Sequence, residues 1–390
     1  MKPIQPWGLG VCLFLCLPGF MRAEAKNNSN AAENNKSSVE QLTKAAQQGE
    51  AEAQSMLGLM YFEGRGVPQD YKKALEWFSK AAMQGFAPAQ GKLGSMHMNG
   101  RGVPQDEKKA LEWLTKAAVQ GFAPAQSNLA LMYSNGLGIA QDDKLAFEWY
   151  SQAASQGLSE AQFNLGHMYL NGHGTPKDSK KGVEWLEKAA NQGNRRAQFN
   201  LGEIYYTGRE SIPQDYKKAF ECFSKAAQQG EAEAQSMLGL MYGEAQGVSQ
   251  NYEAAAQWIE KAAAQGFAPA QYNLGAMYAF GRGVAQSSPT AVQWFEKAAA
   301  QGFLQAQINL GMLYYHGAPL MAQDYKKAAQ WFEKAAAQAF APAQYYLGEM
   351  HLHGKGVPQN QKKGCALLNA SAQQGFPQAM ELHSKACPKQ

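Results

Sequence analysis

The sequence predicts an all-α fold, a solenoid of about nine helix-turn-helix units of 36 or 37 residues each. Three observations carry that expectation. Ala-Gln recurs with Gln at 54, 90, 126, 162, 198, 235, 271, 307 and 344, and a fixed period of roughly 20–50 residues is the signature of stacked repeats. Asp70 has the counterparts Asp106, Asp142, Asp178, Asp215, Asn251, Ser287, Asp324 and Asn360, all preferred residues ahead of a helix. Glycine recurs inside a helical pattern at Gly58, Gly94, Gly166, Gly202, Gly239, Gly275, Gly311 and Gly348, with Ala130 the exception. Each such glycine costs ~1 kcal/mol relative to alanine, so the row implies close helix approach.

The first helix of a unit, helix A, begins near Ala51. It places Ala53, Leu57, Met60 and Tyr61 on one face. Gly64 ends it, and Gly66-Val67-Pro68 turns the chain. Helix B starts after Asp70, runs through Tyr71–Ala82 and stops at Gly85. Its tryptophans (Trp77, Trp113, Trp149, Trp185, Trp258, Trp294, Trp331) are expected to fill gaps between layers, with Cys222 and Leu367 as exceptions. The two 37-residue units carry their extra residue in the A–B loop, at 207–213 and 317–321. An orphan helix over 39–48 and a last helix over 379–387 are expected to cap the array.

Ahead of the repeats, Lys2 precedes an apolar run from Trp7 to Met21, and Ala23-Glu24-Ala25 follows. This pattern predicts a secretory signal peptide over 1–25, a flexible polar linker over 26–38 and the repeat array over 39–390. The expectation is an exported protein, periplasmic or secreted, with no transmembrane anchor.

Composition narrows the function. A formal net charge of +4 over 390 residues is no footprint for nucleic acid. The Lys pairs, such as Lys72-Lys73, have acidic neighbours at helical spacing and read as a solvated face. Gly64-Arg65-Gly66 closes a helix and lacks the Lys-Ser/Thr of a phosphate loop. His351 and His353 point about 200° apart on a helix, wrong for a metal, and no cofactor is expected. Ser-x-x-Lys, Lys-Thr-Gly and Gly-x-Ser-x-Gly are all missing, so no acyl-enzyme chemistry is indicated. Of the five Cys, Cys222 replaces a tryptophan and reads as a buried thiol. Cys365 in the last helix B and Cys387 in the next helix lie within bridging reach if those helices pack antiparallel.

The consensus Ala-x-Ala-Gln-x-x-Leu-Gly-x-Met-Tyr-x-x-Gly-x-Gly-Val-Pro-Gln-Asp-Tyr-Lys-Lys-Ala-x-Glu-Trp-Phe-x-Lys-Ala-Ala-x-Gln-Gly resembles the Sel-1-like repeat, a relative of the tetratricopeptide repeat, over residues 39–390. The resemblance implies a right-handed superhelix in which helix A lines the concave side. It also implies a non-enzymatic adaptor of the bacterial envelope or secreted space, engaging a protein or peptide partner and in some members host proteins. The alternative is a penicillin-binding or β-lactamase-like enzyme, by resemblance to a cysteine-rich branch whose Cys pairs this chain lacks in most repeats.

Residues 44–61 and 225–242 are identical, as expected of an array grown by copying a five-repeat block. With positions 53, 57, 60, 61 and 64 turned to the core, the residues at 52, 55, 59, 62 and 63 point away. The expected partner groove is therefore Phe62, Phe163, Leu170, Phe199, Tyr206, Tyr272, Met312, Tyr315, Tyr345 and Leu352, interleaved with Asn128, Asn164, Asn200, Asn273 and Asn309. The competing expectation is that stacking buries much of this aromatic surface.

Overall fold

The computed structural model describes residues 39–317 and 321–387. The expected signal peptide and linker lie outside the described residues. The chain divides into two compact units, one ending at Gln120 and one beginning at Gly121. The first unit holds α1 (39–47), α2 (Ala51–Glu63), α3 (Tyr71–Met83), α4 (Ala87–Asn99) and α5 (Glu107–Ala118). The second runs α6 (Ala123–Asn135), α7 (Asp143–Ser155), α8 (Ser159–Asn171), α9 (Ser179–Asn191), α10 (Arg195–Thr207), α11 (Tyr216–Gln228) and α12 (Ala232–Glu244). It continues with α13 (Tyr252–Ala264), α14 (Ala268–Phe280), α15 (Ser288–Ala300), α16 (Leu304–His316), α17 (Tyr325–Ala337), α18 (Ala341–His353), α19 (Gln361–Gln373) and α20 (Pro377–Ala386). Even-numbered helices up to α18 are helix A, odd ones from α3 helix B, and each unit is a helical-repeat solenoid.

Both ends of the helices follow from local chemistry. Asp70 Oδ1 accepts from the amides of Lys72 and Lys73 at 3.0 Å, and all eight counterparts cap helix B with their side chains. Gly64 closes α2 with φ of 73°, where its amide reaches Met60 O. The last helix starts at Pro377, two residues ahead of the expected position, because Pro is pre-organised for a first turn.

The glycine row is where the two helices of a pair touch. A Cβ on Gly58 would stand 2.8 Å from the Phe78 ring, and one on Gly275 2.8 Å from Phe295. The core residue of helix B is thus the one after the tryptophan: Phe78, Leu114, Tyr150, Leu186, Phe223, Ile259, Phe295, Phe332 and Leu368 are all buried. The tryptophans are half-buried and pack against the core of the preceding repeat, as Trp113 against the α3–α4 cluster and Trp294 against the α13–α14 cluster. In all but Trp149 the lysine one turn on lies over the ring, as Lys188 over Trp185 at 3.8 Å and Lys297 over Trp294 at 3.7 Å. A cation over an indole face with its stem along the helix explains the recurring Trp-x-x-Lys.

The buried stripe of helix A holds the expected alanine, leucine and methionine positions and adds the glutamine. In α2 it comprises Ala53, Gln54, Ser55, Leu57 and Gly58, with Met60 and Tyr61 half-buried. The Met60 counterparts Met96, Met132, Met168, Ile204, Met241, Met277 and Met350 are buried. The recurring glutamine is therefore a core residue. Gln54 Nε2 donates to Ala46 O at 3.0 Å, and Gln84 Nε2 donates to Gln54 Oε1 at 2.8 Å.

Candidate functional site

The ten groove candidates do not form one exposed surface. Phe163, Leu170, Tyr315 and Leu352 are 3%, 1%, 7% and 9% exposed, so the structure corrects their assignment as accessible anchors. The cause for the two leucines is a size exchange. Where most units have Ala at the fourth position of helix B, α9 and α19 have Gly182 and Gly364. A Cβ on Gly182 would lie 2.6 Å from Leu170 Cγ, and one on Gly364 3.0 Å from Leu352 Cγ. Each leucine occupies the space its glycine vacates. Tyr315 is drawn in by polar partners: its hydroxyl donates to Glu349 Oε1 at 3.1 Å and accepts from Lys355 Nζ at 3.0 Å. Burial pushes its hydroxyl above the usual tyrosine range.

The other six candidates are half-buried. In the first unit, Phe62 meets Tyr71 edge-on at 5.2 Å. In the second, Tyr206 makes the same contact with Tyr216 at 5.3 Å, and Phe199 packs 5.6 Å from Phe223. Tyr272 lies between Phe295 and Phe303, 5.5 and 5.3 Å away, and its hydroxyl accepts from Asn309 Nδ2 at 3.3 Å. Tyr345 packs 5.5 Å from Phe376, and Met312 lies against the α15–α18 core. Phe62, Phe199, Tyr206 and Tyr272 each keep an outer edge in solvent while the inner edge packs on the following helix B; Tyr345 packs instead on Phe376, ahead of α20.

The asparagine row links adjacent A helices in part. Asn309 reaches Tyr272 of the preceding repeat, and Asn200 Nδ2 meets His167 Nε2 at 2.6 Å. Asn128 is buried.

At the C-terminal end the structure joins Cys365 and Cys387 in a disulfide, with Cα atoms 5.6 Å apart. Cys222 is a free thiol, partly buried, and burial pushes its pKa up to about 11. Such a thiol stays protonated and unreactive at neutral pH.

The Sel1 repeat family model matches nine consecutive segments, from 51–86 through 341–376. The chain belongs to the Sel1-repeat family. Sel1-repeat proteins are protein-interaction scaffolds. Two similar solved structures extend the likeness over most of the chain. The chain is 33% identical to c5321, a protective antigen of uropathogenic Escherichia coli with this fold, at a TM-score of 0.69 over 89% of this chain and 82% of that one. It is 34% identical to a Sel1 repeat protein from Oxalobacter formigenes, at a TM-score of 0.64 over 84% and 92% of the two chains. Among curated proteins none matches. Among the described residues no helix is long and apolar enough to cross a membrane, and no three His, Cys, Asp or Glu side chains gather as metal ligands.

Proposed function

We propose that this Sel1-repeat protein is a non-enzymatic adaptor that binds a protein or peptide along the helix-A face of its second unit, after export from a bacterial cell. The carrying observation is the set of half-buried aromatics, Phe199, Tyr206 and Tyr272, each packed on its inner edge against the next helix B, with Tyr345 packed against Phe376 ahead of α20. A rigid aromatic with one free edge buries large apolar area at small entropic cost, the property of interface anchors. Export rests on the charged, apolar and small-residue pattern of residues 1–25, and the adaptor role on nine successive Sel1 repeats.

The test is capture from bacterial envelope and host-cell extracts with the wild type and with Tyr206→Ser and Tyr272→Ser. A partner retained by the wild type and lost by variants of unchanged melting temperature supports the reading. Equal capture by all three overturns the placement of the site. Covalent labelling of a serine by penicillin would overturn the non-enzymatic assignment, and a processed N-terminus at Lys26 is the expected mark of export.

A further inference from the structure

We propose that the surface over Phe199, between Glu203 of α10 and Glu233 of α12, docks an arginine side chain of the protein or peptide partner. The assignment deepens the adaptor reading and rests on it. Two successive repeats differ at this place. In α8, Phe163 is covered twice. The Arg196 guanidinium of the next helix A lies 4.5 Å from its ring centroid, and the His167 ring of its own helix meets it edge-on at 4.6 Å. The residue is left 3% exposed. Counted from the recurring glutamines Gln162, Gln198 and Gln235, Phe199 takes the place of Phe163, Glu203 that of His167 and Glu233 that of Arg196. Two carboxylates thus stand where the preceding repeat has a cation and a ring. Phe199 stays half-buried, its inner side on Phe223 at 5.6 Å.

Elsewhere on the helix-A face the chain supplies the cation itself. Lys92 lies over Phe62 at 5.6 Å and Lys355 over Tyr315 at 5.4 Å. Beside Tyr315 an acid of the following helix A completes the set, Glu349 accepting from Lys355 Nζ at 3.1 Å. At Phe199 the ring and the acids are present without the cation: among the described residues no lysine or arginine lies over this ring. Neither Glu203 nor Glu233 has an ion-pair partner among them. The arginines of α10 and its loop are committed elsewhere. Arg195 pairs with Glu231 at 2.6 Å, Arg196 covers Phe163, and Arg209 donates to Leu170 O and Asn171 Oδ1 at 3.2 and 3.1 Å.

The electrostatics agree with an unfilled place for positive charge. Desolvation and then the charge of Glu233 hold the Glu203 carboxyl above the usual carboxylate range, and desolvation and then Glu231 do the same for Glu233. A cation between them relieves this repulsion. Acids flanking a ring favour a guanidinium over an ammonium, because its plane stacks on the ring as Arg196 does on Phe163 while its five donors reach to both sides.

The experiment titrates the intact protein with Nα-acetyl-arginine amide at constant ionic strength. It follows the ring signals of isotope-labelled phenylalanine by NMR, with Phe199 identified from Phe199→Leu. We expect a saturable shift of Phe199 with Kd on the order of 1–10 mM. The double variant Glu203→Gln, Glu233→Gln is expected to weaken it at least tenfold. Glu233→Arg, which supplies the missing cation from the chain itself, is expected to abolish it. A response no larger than with sodium chloride, or one unchanged in both variants, would overturn the surface. An equal response to the citrulline analogue, which has the shape without the charge, would overturn the role of the acids. An equal response to the lysine analogue would overturn the choice of arginine. The titration needs no partner, so its failure is distinct from failure of the adaptor reading. A captured partner with no arginine response overturns this surface alone. An arginine response in a protein that captures nothing supports the surface and overturns the adaptor reading.

Discussion

Gln229 donates from Nε2 to Gln198 Oε1 at 2.7 Å, and Gln198 in turn donates to Ala190 O at 3.0 Å. A side chain at the end of one helix B thereby reaches the end of the preceding helix B through the glutamine of the helix A between them. The amide-to-amide contact recurs in every repeat, from Gln84–Gln54 at 2.8 Å to Gln374–Gln344 at 2.8 Å. An amide is suited to this place because it donates and accepts at once.

Gln198→Leu fills the same volume but removes one of two hydrogen bonds at the Ala190 carbonyl and at the Gln229 amide, which keep Gly193 N and Gly193 O as partners. Its expected cost is about 1 kcal/mol of unfolding free energy, measured by urea denaturation. Gln229→Ala, on the wetter side of the same link, is expected to cost less.

Gly275→Ala places a methyl 2.8 Å from the Phe295 ring. Overpacking of this kind costs about 1–3 kcal/mol, against the gain that alanine brings to an ordinary helix position. A melting temperature equal to or above wild type would show that the pair relaxes freely.

Leu170 and Gly182 are expected to be coupled. Leu170→Ala opens a cavity worth about 2–5 kcal/mol, and Gly182→Ala collides with the same leucine. The double variant lets the new methyl occupy the vacated space, so its loss falls below the sum of the two. A double-mutant cycle by denaturation measures this, and strict additivity would refute the exchange.

Reduction of Cys365–Cys387, or Cys365→Ser, is expected to cost about 3 kcal/mol for a closed loop of this size. Mass spectrometry without reduction should give one linked peptide pair and an unmodified Cys222.

His167 makes stability depend on pH with a definite sign. Its folded pKa lies near 4 against the usual 6.5. The unfolded chain therefore binds the proton first, and stability falls as pH drops from about 6.5 toward 4. The loss is at most roughly 3 kcal/mol. His167→Asn should flatten that part of the pH profile in thermal melts.

Fold and helix boundaries were largely readable because they rest on local rules. Asp70 and its counterparts cap helix B, Gly64 ends helix A, and Gly58 admits the Phe78 ring, each through a neighbour fixed in sequence. The site was less readable. Whether Phe163 or Phe199 faces solvent depends on the neighbouring repeat: Arg196 of the next helix A covers the first, beside His167 of its own helix. Leu170 looked like a groove residue because its burial depends on the glycine in the next helix. One signal was present and unread, the pairing of a leucine at 170 and 352 with glycine at 182 and 364. The tryptophans were readable only in part: one face packs on the preceding repeat's core, and the lysine three residues on marks the covered outer face.

The glutamine contacts join residues only 30 or 31 positions apart, and the dense helix contacts link elements adjacent in sequence. A chain with such low contact order closes no long loop before its contacts form, so folding starts wherever a few repeats meet and spreads in both directions. Unfolding at the C-terminal end of the second unit runs the other way, by fraying. The Cys365–Cys387 bond ties down the C-terminal end. In hydrogen exchange, amide protection in this unit is thus expected to persist through α19.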